Sequence, residues 1–143
     1  MGEIFGDIYC FFFEDFFGLD LANYLWGGTD GNPDTNLFIG FGIGMLCVSL
    51  LLAIIYYYVL NHPKFAKWWG WTIVLGINAV INLIVGWHFT LSDFYDGKMD
   101  SLDVGEGNCF NFGITNAILS IVAFFIISMI IKWKSSNCAH CPF

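Results

Sequence analysis

The chain has 143 residues, 57% apolar and only 12% charged, with five lysines, no arginine and twelve acids for a net charge of −7. Soluble domains carry about 25% charged residues. The composition excludes a disordered chain, a soluble disulfide scaffold and a nucleic-acid binder, which would need a basic face; what remains is an all-α integral membrane protein, of one domain (1–143) by length.

Residues 4–26 come first. Seven of the thirteen positions from Phe5 to Phe17 are Phe or Tyr, yet Asp7, Glu14, Asp15 and Asp20 are spread through the same stretch. Those acids argue against a spanning helix. Asp7 and Glu14, seven apart, share one helical face. The segment is expected as an amphipathic helix, either lying at the outer membrane surface or packed against the spans or a neighbouring subunit. The acids at the start replace the basic region of a cleavable signal. Residues 27–36 form a Gly-, Asn- and Asp-rich turn region without the full pattern of a calcium loop.

Three uncharged runs follow, over 37–60, 68–91 and 110–131. Each reaches the ~20 residues that a membrane crossing needs. Tyr56, Tyr57, Tyr58, Trp68, Trp69, Trp71 and Trp133 mark one boundary, with Trp26 and Trp87 near the other, as in an interfacial aromatic belt. Lys64 and Lys67 lie between the first two runs, and Lys132 and Lys134 follow the third. All twelve acids and Lys98 lie on the other side, a net −11 against +4. The positive-inside rule then puts the amino terminus outside and the carboxyl terminus in the cytoplasm, across a plasma or bacterial inner membrane.

Neutral polar residues inside the runs are candidates for function, beside the acidic outer face. Asn78, Asn82 and Gly86 recur every four residues, and Asn116, Ser120 and Ser128 lie on the third run. They either line a conduction path or bond helices together. Gly40 and Gly44 form one GxxxG spacing, which lets helix backbones approach. Asp7, Glu14 and Asp15 would draw cations to an outer mouth. Cys10 and Cys109 are the only outer cysteine pair and are candidates for a disulfide. Cys138, His140 and Cys141 offer three zinc ligands where a structural site wants four. His88, near the outer boundary, is read as an interfacial ring. No phosphate loop, metalloprotease motif or nucleophile elbow is present, so no enzyme activity and no cofactor are expected. The reading that follows is a homo-oligomeric ion-permeable channel or pore with an acidic, cation-attracting outer face. The one alternative is a non-conducting scaffold or accessory subunit that holds a membrane-protein partner, with the outer aromatic segment as its docking surface. The bilayer is a partner in both.

Overall fold

The computed structural model describes residues 2–27, 36–59, 68–100 and 102–134. Every regular element among them is helical: α1 (Gly2–Phe17), α2 (Leu19–Trp26), α3 (Leu37–Ile54), α4 (Trp68–Tyr95) and α5 (Glu106–Lys134). Three stretches are long and apolar enough to cross a membrane, namely Leu37–Tyr58, Trp68–Tyr95 and Glu106–Lys132, with mean hydropathies of 2.6, 1.7 and 2.5. Their outward faces are apolar as well; Leu51, Ile73, Val80 and Ile130 are all more than half exposed. A water-soluble protein rarely exposes apolar surface so continuously, so these helices indicate a membrane location.

The second and third runs extend as helix beyond their apolar parts, to Tyr95 and back to Glu106. The Tyr95 hydroxyl donates to Glu106 across the intervening turn, and Lys98 pairs with Asp93 at 2.6 Å. These contacts pin what is here called the acidic end of the bundle. Trp68 and Lys132 lie at the opposite, lysine end. There α3 widens into a π-helical turn over Ile55–Val59. Such a turn shifts the register of a helix face, and the adjacent Tyr56 and Tyr57 are both buried.

Helices α4 and α5 form the most extensive pairing. The buried face of α4 is a strict four-residue series: Gly70, Val74, Asn78, Asn82, Gly86, Thr90. Helix α5 presents a matching ridge of Gly113, Asn116, Ser120, Phe124 and Ser128. Gly86 meets Gly113 at the closest approach. A Cβ added at Gly113 would lie 2.8 Å from the Leu83 carbonyl oxygen and 2.9 Å from the Trp87 Cβ.

The amino-terminal segment is two helices, because Gly18 takes a φ of 97° that disfavours other residues. Helix α2 folds back along α1: the Trp26 ring covers Gly6, and its Nε1 donates to the Cys10 Sγ at 3.3 Å. Of the two arrangements open for this segment, packing against the spans is the one found, since α1 contacts both α3 and α5. It runs antiparallel to α5. The Asn111 Nδ2 donates to the Phe16 carbonyl at 2.9 Å, and the Tyr9 hydroxyl donates to Asn116. Phe5 covers Gly42 of α3. Helix α3 begins at the level of Tyr9, capped by Asn36, whose side chain accepts from the Phe38 N–H at 3.0 Å.

Two apolar clusters result. One, at the acidic end, gathers Tyr9, Phe17, Leu21, Phe38, Cys109 and Phe112. The other, towards the lysine end, gathers Ala53, Tyr56, Tyr57, Val74 and Phe124.

Candidate functional site

A polar layer lies between the two clusters. Asn78 is its hub. Its Oδ1 accepts from the Ser49 hydroxyl of α3 at 3.1 Å, and its Nδ2 donates to the Ser120 carbonyl of α5 at 3.0 Å. The Asn82 Nδ2 donates back one turn, to the Asn78 carbonyl at 2.9 Å and to its Oδ1 at 3.2 Å. The Asn116 Nδ2 donates to the Asn82 carbonyl at 2.8 Å, and its Oδ1 accepts from Tyr9 of α1. The Ser120 hydroxyl turns to its own helix, donating to the Ala117 carbonyl at 2.7 Å.

The four residues singled out by sequence, Asn78, Asn82, Asn116 and Ser120, are thus brought together, each no more than 1% exposed. Every buried side-chain nitrogen and oxygen among the described residues has a hydrogen-bond partner. The reason is chemical: in a region without water, an unpaired amide costs several kcal/mol. The layer holds no acid, lysine or histidine, so it offers no group for proton relay. Its capacity is to lock α1, α3, α4 and α5 in one register.

Tyr9 escaped the sequence reading, where it was one aromatic among many. The signal was present. Phe5, Tyr9, Phe13 and Phe17 recur every four residues, and Tyr9 alone of them carries a hydroxyl able to meet a buried amide. Gly113 was missed too, because its role depends on facing Gly86 from another helix.

Asp7, Glu14 and Asp15 all lie on α1. Asp7 and Asp15 are exposed and Glu14 is half-buried. Ion pairs among the described residues are confined to Lys98 with Asp93 and Asp96, so none of those residues pairs with the α1 acids. Tyr24 of α2 also donates to Asp93, at 3.3 Å; burial and then the Asp93 charge push its hydroxyl pKa above the usual tyrosine value.

The Cys10–Cys109 disulfide is not formed, and both thiols are free. Cys10 sits beside the Tyr9–Asn116 contact, whereas Cys109 lies at the level of Phe17. Seven residues of helix separate these levels, about 10 Å, beyond the ~7 Å that a disulfide tolerates between Cα atoms. No cluster of metal-ligating side chains exists among the described residues, and Cys138, His140 and Cys141 lie outside them. His88 is exposed, with its ring against Phe89.

Two apolar hollows border the layer. A groove of about 400 Å³ opens between α3 and α4, lined by Leu37, Gly40, Phe41, Gly44, Val85 and Phe89. Another, of about 290 Å³, lies where Phe5 and Ile8 of α1 face Leu46, Leu119, Val122 and Ile126.

Compared with protein-family models, curated proteins and solved structures, the chain matches none.

Proposed function

We propose that this chain is a multi-pass membrane protein that acts as a non-conducting scaffold or accessory subunit and holds a partner protein in the bilayer. The observation that carries this reading is the closed polar layer. Asn78, Asn82, Asn116 and Ser120 spend their hydrogen bonds on one another and on the backbone of the same chain. A homo-oligomeric channel would need a polar lining, and the outward faces of α3, α4 and α5 are lined by exposed apolar residues such as Leu51, Ile73, Val80 and Ile130. In this reading the acidic end faces outside and the lysine end the cytoplasm, following the lysine distribution. Helix α1 enters the bilayer beside α5 rather than lying flat on the surface. Its support is Tyr9, which is fully buried against a residue ten positions into α5.

The test is ion flux from liposomes holding the purified chain. No flux above protein-free liposomes is expected. Conductance from the chain alone, lost in Asn78→Leu with Asn82→Leu while assembly survives, would overturn the scaffold reading and restore the channel.

A channel keeps one observation in its favour: Asp7, Glu14 and Asp15 have no ion-pair partner among the described residues and remain free to attract cations.

A further inference from the structure

The register of α1 against α5 sets the depth of Asp7. Tyr9 meets Asn116, ten residues past Glu106 and so about 15 Å along α5. Phe5 and Ile8 line a hollow with Leu119 and Val122, at the middle of the Glu106–Lys132 span. Asp7 lies between these levels. Its side chain is exposed, with two exposed apolar residues beside it: Ile4 is 59% exposed and Phe11, one turn along, is 82% exposed. Exposed Ile and Phe need no explanation in lipid. A carboxylate at that depth does, because ionisable groups inside a bilayer are costly unless paired.

Among the described residues no cation reaches Asp7. Lys98 is held by Asp93 and Asp96 at the acidic end, and Lys132 lies thirteen residues beyond Leu119 on α5. Lys134 ends α5, and Lys64 and Lys67 lie outside the described residues. A second copy meeting this face in two-fold fashion would bring another Asp7 to the same depth, so like charges would oppose each other.

We propose that the open face of α1, from Ile4 through Asp7 to Phe11, docks a transmembrane helix of a different protein carrying Lys or Arg near the middle of its apolar run. The proposal rests on the membrane-scaffold reading and names the partner's chemistry. The cation would pair with Asp7. Its alkyl stem would lie across Phe11, whose ring is braced edge-on by Phe12 at a centroid distance of 4.9 Å. A second basic residue two turns away would meet Glu14.

The full chain is reconstituted in phosphatidylcholine vesicles with a fluorescent, leucine-rich synthetic helix bearing one central Lys, and pairing is read by energy transfer. The same helix with Leu in place of Lys is the control. The expected result is pairing about tenfold tighter for the Lys helix, with the preference abolished by Asp7→Asn and retained in Asp15→Asn. Equal pairing of both helices, pairing of neither, or a preference that survives Asp7→Asn would overturn it. So would self-association of the chain through this face, seen as Phe11→Cys crosslinks between copies. Alkaline carbonate extraction of the same vesicles separates the two failures. A chain that stays in the bilayer but shows no Lys preference overturns the partner alone; a chain that is stripped off overturns the membrane reading with it.

Discussion

Along α5, Gly113 sits so close to Gly86 of α4 that a single added carbon would strike the Leu83 carbonyl oxygen; along α3, Gly40 and Gly44 have nothing within 4 Å of where such a carbon would lie. The conspicuous motif is the second pair, a GxxxG spacing in a very apolar run. The close approach occurs at the first, which has no motif in either helix alone. Glycine spacing therefore marks where helices can approach, not where they do. What brings α4 and α5 together is the polar layer beneath Gly86, with the Asn78 side chain reaching α5 and the Asn116 side chain reaching the Asn82 carbonyl of α4. No hydrogen bond beside Gly40 or Gly44 draws α3 towards α4; Ser49, further along, supplies that link.

Substitutions can break this contrast. Gly113→Leu should do most damage, about 3 kcal/mol at the upper end of overpacking costs, read as a lower unfolding midpoint in detergent. Asn116→Leu should cost about 1–2 kcal/mol, since it removes two interhelical bonds and strands the Tyr9 hydroxyl. Tyr9→Phe in the same chain should recover part of that loss. Gly40→Ala and Gly44→Ala should go the other way, each gaining about 0.5 kcal/mol from helix propensity alone. A loss there would mean that the α3–α4 groove closes in the membrane. The smallest effect belongs to Lys98, which lies outside both interfaces. The Asp93 carboxylate that accepts from its ammonium holds its pKa above the usual lysine value. That contribution is complete below the unfolded-state value and is lost as the pH rises through the folded-state one. A slight alkaline fall in the unfolding midpoint, absent in Asp93→Asn, is the expected outcome.

The spans were legible because hydropathy and length are properties of a segment by itself. Leu37 and Trp68 begin helices where the apolar runs begin. The acidic ends of α4 and α5 were placed short, since a helix continues through Ser92 and Asp93 when its polar groups find partners at its tip. The four-residue series through Asn78, Asn82 and Gly86 was readable as one face of α4. Its partners were not: nothing local says that Asn116 bonds a tyrosine from residue 9, or that Gly113 faces Gly86. Gly18 as a break within 4–26 was visible in principle, but the greasy residues on both sides masked it. Cys10 and Cys109 illustrate the opposite error. A charge pattern that assigns two thiols to one side does not place them at the same height.

The contact between Tyr9 and Asn116 joins residues 107 positions apart. It therefore has a date as well as a place. Within this sequence α1 is made well before α5, so until α5 follows, α1 has only α2 and α3 of the neighbours it will pack against. For that interval Asp7 and the phenylalanines of α1 must be kept elsewhere, in water, at the headgroups or on a chaperone. Seating α1 against α5 then waits for the later helix, and the finished layer of amides records its arrival.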